Sequence, residues 1–167
     1  MPTNHSEQTA RHGQPGVSLA SKRAPDVVRD NKELVIAQWL ERVNSKPSLM
    51  VVTLSESERK DHVPDLLDEA IAHACGHAVE VDERQNAAER HGTLRYHQGY
   101  SIPMLIVEAQ LLQDVIAECL RDNFRILDIS NLLPDIAKIA DTIAVELADS
   151  ARAYMNQYEW HASRKIS

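Results

Sequence analysis

Three side chains in the middle of this sequence are of types, and at spacings, that could do chemistry: His91, Arg95 and Glu108. On a helix turning by about 100° per residue, with Met104 at zero, Leu111, Leu112, Val115 and Cys119 fall between about −20° and +80°. Glu108 falls at about 40°, in the centre of that apolar arc. An ionised carboxylate there is costly unless a charge or a hydrogen bond replaces the water it loses. The preceding segment supplies candidates, because with Ala87 at zero His91 lies at about 40° and Arg95 at about 80°. A tight antiparallel turn at Gly99 and Tyr100 puts residues whose numbers sum to about 199 at one level. That register predicts that His91 meets Glu108 and that Arg95, one turn nearer the joint, reaches both.

Such a network can fix the register between two helices and do nothing more. It can also serve as a ligand or switch site, since imidazole changes charge near neutral pH and a facing carboxylate raises its pKa. Glu69, His73 and His77 recur every four residues, a spacing that lines one helix face and can hold a metal. Further ligands would have to come from His62 or Glu80. No Glu-x-x-His pair repeats as a di-iron bundle requires, and Gly76 weakens the helix, so a solvated face is the plainer reading. A haem reading rests on His91 or His97 as axial ligand, but the chain has one phenylalanine with which to line a pocket. A metal- or haem-binding sensor using His73 and His77, or His91, is therefore the alternative, and the main reading assigns no metal and no cofactor.

No serine or cysteine sits in a Gly-flanked nucleophile turn, and there is no Gly-rich phosphate loop. The sequence does not read as an enzyme. Cys75 and Cys119 stand singly within helical patterns, as reduced core thiols rather than a disulfide or thiolate metal site.

The elements that must position these groups are helices. In 167 residues there are five glycines and 4% aromatics, while helix-forming residues dominate. The length suits one domain. Residues 1–24 mix small and polar residues with almost nothing apolar and read as a disordered tail. Residues 25–162 read as a single helical sensory or regulatory domain, and residues 163–167 as a frayed C-terminus. Up to residue 25 the chain is near +2, from Arg11, Lys22 and Arg23 against Glu7, and the remainder is near −9. That balance argues against nucleic acid as a partner. No apolar run is long enough for a bilayer, which reads as no membrane and a cytoplasmic location.

Along the chain, Pro25 and Asp26 open a helix carrying Val27, Val28, Leu34, Val35, Trp39 and Val43, which Ser45, Lys46 and Pro47 stop. Ser55 and Glu58 form a capping box with Leu54 as staple, and Pro64 either kinks that helix or opens a second piece at Asp65. A further helix runs from near Glu83 to Gln98. The next is capped by Ser101, has Pro103 in its first turn and reaches Leu120. After a loop at about 121–129, Ser130 or Asn131 caps a last helix of nearly 30 residues, striped with Ile136, Ala140, Ile143, Leu147, Ala151, Tyr154 and Tyr158. The expected fold is all-α, an antiparallel bundle of five to six helices with a long C-terminal helix. The stripe on that helix can pack on the bundle at its front and on a twin at its back, which favours a homodimer.

The stretch His91-Gly92-Thr93-Leu94-Arg95, then Gly99-Tyr100-Ser101, Leu105, Glu108 and Leu111-Leu112, resembles the N-terminal domain family of the RsbT co-antagonist proteins (RsbRD type). That domain is found in bacterial stress-signalling regulators and at the front of many sensor histidine kinases. The similarity spans about residues 27 to 160, with Trp39 and Pro64-Asp65-Leu66-Leu67 agreeing in position. The resemblance implies an all-helical input domain without chemistry of its own, acting on a kinase or an anti-sigma regulator. Ala109 and Leu111 depart from the aromatic and arginine that the family often carries near this point, which bears on whether a family-type arginine pairing forms here. The sequence reads as a stand-alone member or as the front of a longer protein.

Overall fold

Prolines and small polar residues set where most of the helices begin. The computed structural model describes residues 21–77 and 81–164; the expected disordered tail, apart from its last four residues, lies outside this range, as do Glu80 and the last three residues. Helix α1 spans Ala24–Asp30 with Pro25 in its first turn, and α2 spans Lys32–Ser45. On α2 the buried positions Val35, Ile36, Trp39, Leu40 and Val43 follow the helical repeat and form one stripe. A short α3, Pro47–Met50, precedes α4, Glu56–Lys60. The capping box on α4 forms as the sequence indicates: Glu58 N–H donates to Ser55 Oγ at 3.3 Å and Ser55 N–H to Glu58 Oε2 at 2.8 Å.

Pro64 opens a separate helix, α5, Val63–Ala74, instead of kinking α4. Helix α6, Val81–His97, ends at Gly99, whose φ of 84° is the left-handed conformation of a helix terminator. Helix α7, Ile102–Asp122, follows, then a 3-10 turn at Phe124–Ile126. Helix α8 runs from Ile129 to Arg164, 36 residues, about 54 Å at the helical rise. It is longer than expected at both ends, and Asp128 rather than Ser130 or Asn131 holds its start, accepting from Ser130 N–H at 2.9 Å and Asn131 Nδ2 at 2.8 Å. The described residues form an all-α bundle; their one β-type contact is an isolated bridge between Lys22 and Leu127.

That bridge moves the domain boundary. Lys22 N–H donates to the Ile126 carbonyl at 2.6 Å, and Arg23 pairs with the buried Asp135 while donating to the Ala74 carbonyl at 2.8 Å. Lys22, Arg23 and Ala24 thus belong to the fold, because Asp135, 1% exposed, needs a cation.

The helix order in space differs from the hairpin that the Gly99 turn suggests. Helix α6 packs mainly on α8, and α7 packs on α2 and α8. The cause is Gly92: a Cβ built there would lie 2.0 Å from the Ser150 carbonyl oxygen and 2.9 Å from Ser150 Cα. Only a residue without a side chain lets the two backbones approach so closely. The core between these layers is centred on Trp39, 1% exposed, whose Nε1 donates to the Glu108 carbonyl at 3.1 Å and fastens α2 to α7.

Replacing a helical glycine by alanine ordinarily stabilises a helix by up to about 1 kcal/mol. Gly92→Ala is expected to do the reverse, lowering unfolding free energy by about 3 kcal/mol through overpacking, as read from urea denaturation midpoints. A midpoint equal to or above that of the parent would contradict the close approach.

Candidate functional site

The site has two adjoining halves. The first is built around Arg95, completely buried on α6. Its Nη1 donates to the Glu58 carbonyl at 3.1 Å and to Gln98 Oε1 at 2.8 Å, and its Nη2 donates to the Arg59 carbonyl at 3.1 Å. The guanidinium therefore caps the C-terminal carbonyls of the five-residue α4, where cationic donors are favoured. Its plane lies over the Tyr100 ring, 4.7 Å from the centroid, and its Nε faces Glu108 Oε2 at 3.3 Å.

Glu108 has a second partner in the Tyr100 hydroxyl, which donates to Oε1 at 2.7 Å and accepts from Arg59 Nη1 at 3.3 Å. Arg59, 2% exposed, also donates through Nη2 to the Val52 carbonyl at 2.8 Å. Two arginines, a phenol and one carboxylate thus form a continuous chain. Burial raises the Glu108 carboxyl above its usual range, and Arg95, the Tyr100 hydrogen bond and Arg59 pull it back. Burial and the Glu108 charge push the Tyr100 phenol upward, so it stays a donor.

The second half carries the imidazoles. His91, 4% exposed, does not bond to Glu108; its ring lies against that of His62, centroids 3.5 Å apart and tilted by 35°. The pairing expected from the Gly99 turn fails because α6 leans onto α8, and the long Arg95 side chain spans the remaining gap to Glu108 on α7. Burial drives both imidazoles to lower pKa, aided by Arg95 at His62 and by His62 and Arg95 at His91, so both are neutral at physiological pH. This reverses the direction that a Glu108 partner would give His91. His62 Nε2 stands 3.6 Å from Glu146 Oε1, while the Nδ1 atoms of His62 and His91 have no hydrogen-bond partner.

Glu146 lies on the buried stripe of α8 between Ile143 and Ser150. Burial raises its pKa to about 7, with Glu108 and Glu69 adding to the rise and the Ser150 hydrogen bond and Arg95 opposing it. The Ser150 hydroxyl can donate to Glu146 Oε1 at 2.8 Å, which favours the ionised carboxylate, or to the Ala88 carbonyl at 2.9 Å. A hydroxyl has one proton, so Ser150 serves one of these two acceptors at a time. The two halves share a small cavity of about 20 Å³ lined by Trp39, His62, His91, Leu105, Glu108 and Glu146, room for about one water. Outside it, a cleft of about 450 Å³ opens beside Asp61, His62, Glu69, Arg84 and His91.

The other constellations do not assemble. Helix α5 ends at Ala74 and Gly76 turns the chain at φ 85°, so His77 leaves the face shared by Glu69 and His73. His73 Nδ1 is 3.0 Å from Thr142 Oγ1, and Glu69 faces Arg84 at 3.5 Å. His97 is exposed, with its ring near Tyr96 and His161. Arg59, His62, Tyr100, Glu146 and Ser150 complete the site without having been expected in it. Glu146 carried a legible signal, since it interrupts the α8 stripe of Ile139, Ile143 and Ala153 just as Glu108 interrupts that of α7.

The chain matches no family model, no curated protein sequence and no solved structure.

Breaking a buried ion pair from one side costs about 3–5 kcal/mol, whereas replacing both partners by apolar groups recovers much of that. Arg95→Met and Glu108→Leu are each expected to fall in this range, and the double variant to be more stable than their sum by about 2 kcal/mol. Additive losses would deny the coupling.

Glu146 binds its proton more tightly folded than unfolded, where its pKa returns to near 4.5. Its contribution is fully present below that value and is lost as pH rises through about 7. Facing it are His62 of the α4–α5 turn, Glu69 of α5, Arg95 of α6, Glu108 of α7 and its own neighbour Ser150. Relative to the parent, Glu146→Gln should gain stability on the order of 2 kcal/mol between pH 5 and pH 8. A constant difference across that range would contradict a raised Glu146 pKa.

Proposed function

We propose that this chain is a non-catalytic sensory or regulatory input domain of a bacterial signal-transduction system, in a stress-response or two-component pathway. The observation that carries this reading is the buried polar chain itself. Its charged groups are turned inward onto one another and onto helix ends, joining α4, α6 and α7, and the Tyr154 hydroxyl of α8 donates to the Tyr100 carbonyl at 2.7 Å. A group of this kind responds to a change in charge or hydrogen bonding by changing how helices pack, and packed interfaces tend to switch between discrete arrangements.

Helix α8 offers the way out for such a change. It is buried through Ile139, Ile143 and Ala153, yet presents Leu133, Met155, Tyr158 and Trp160 at 77%, 43%, 56% and 51% exposure. An apolar groove of about 480 Å³ lies between α7 and α8 beside the exposed Phe124 and Ile136. These surfaces suit a second copy of the chain, or a kinase or anti-sigma regulator docked on the same helix. The likeness of the His91–Arg95 and Gly99–Glu108 segments to the RsbRD-type domain supports the same assignment. Among the described residues no helix is long and apolar enough to cross a membrane, and the reading places the domain in the cytoplasm.

Sedimentation equilibrium tests this directly. The parent is expected to form a homodimer, and Glu108→Gln to shift its dissociation constant about ten-fold, within the coupling of about 1–3 kcal/mol usual for linked sites. A monomer at every concentration, or a dimer indifferent to residue 108, would overturn the proposed route.

A further inference from the structure

We infer that Asp61, His62 and His91 form a binding site for a divalent transition-metal ion of the Zn2+ or Fe2+ class. Asp61 and His62 form the turn between α4 and α5, and His91 comes from α6. One ligand atom from each of the three lies within 4.8 Å of the others, in the one such group found among the described residues. Metal–ligand bonds of about 2.0–2.2 Å set ligand atoms about 3.5 Å apart, so binding draws the three groups together and turns the stacked His62 and His91 rings, whose centroids are 3.5 Å apart, until their ring-plane lone pairs converge. Asp61, which is exposed, is free to follow the rings.

Two further observations point to a ligand rather than to packing. His91 is a buried imidazole whose Nδ1 has no hydrogen-bond partner, and His62 Nδ1 is in the same condition. A neutral imidazole brought into a core without a partner for its ring nitrogen is unfavourable, and coordination supplies that partner. His62 also has a carboxyl beside its ring: with Nδ1 on the metal, Nε2 stands 3.6 Å from Glu146 Oε1 and can close to a hydrogen bond as the ring turns. A carboxylate behind a ligating histidine orients the ring and strengthens the donor.

The donor set decides the ion. Two nitrogens and one carboxylate suit zinc or iron, whereas magnesium and calcium favour oxygen cages. Three protein ligands leave a position open toward the cleft beside Asp61, where water or a small anion can complete the shell. This inference rests on the regulatory reading only for its consequence, that the ion is the signal; the binding is read from the residues alone.

Tag-free protein titrated with Zn2+ by calorimetry is expected to bind one ion per chain, and Co2+ to show the visible bands of a low-symmetry nitrogen and oxygen site, with Mg2+ inert. Asp61→Asn, at an exposed position, should weaken Zn2+ about ten-fold. His62→Gln should weaken it about 100-fold, and Glu146→Gln, acting from behind the ligand, about ten-fold. Absence of stoichiometric uptake, or uptake unchanged in both Asp61→Asn and His62→Gln, overturns the site. Zn2+ that binds with this dependence but leaves the dimer equilibrium unmoved upholds the metal site and removes only the consequence that the ion is the signal.

Discussion

The arrangement of this protein depends on burying one guanidinium. Arg95 is removed from water entirely, and its charge is met by the carbonyls of α4, the side-chain oxygen of Gln98, the face of Tyr100 and the carboxylate of Glu108. These partners come from three stretches of chain: α4, the joint after α6, and α7. Taking such a charge out of water costs several kcal/mol, so the structure is stable only when the partners are in place together. The short α4, with five residues, is too brief to persist alone and is held by its capping box at one end and by Arg95 at the other.

Around that centre, two backbone features choose which helices meet. Gly92 lets α6 approach the backbone of α8 at Ser150, and Trp39 ties α2 to the Glu108 carbonyl on α7. The imidazoles of His62 and His91 and the carboxyl of Glu146 fall at the seam between those layers, which is why they are buried although ionisable. Burial keeps the imidazoles neutral and raises Glu146, so the seam carries less charge than its composition suggests.

Local signals in the sequence were read well because they act over one turn of chain. The Ser55–Glu58 box and the Gly99 stop need no knowledge of tertiary contacts, whereas Pro64 leaves a kink and a helix start both open, and the one helix expected from Pro25 to Val43 is two, α1 and α2, with Leu34 exposed. Glu108 was visible for a related reason, as a carboxylate at the middle of an apolar arc. The His91 partner is not legible in the same way, because a short joint between α6 and α7 suggests a packed hairpin whereas α6 packs mainly on α8. Gly92, three residues from the motif's arginine, carried the contrary information: a helical glycine at a buried position marks a close backbone approach, here to α8. Arg23 was assigned to the tail by composition, and only the tertiary position of Asp135 shows why a cation is needed there. His62 had no local signal, since its meeting with His91 depends on how the α4–α5 turn lies against α6.

The most direct measurement is nitrogen-15 NMR of the arginine side chains in uniformly labelled protein. An Arg95 fixed between two carbonyls, Gln98 and Glu108 should show separate, slowly rotating Nη groups whose protons are protected from exchange with water. Averaged Nη signals exchanging at the rate of the surface arginines would mean that the guanidinium is not held, and the account of this fold and its site would fail with it.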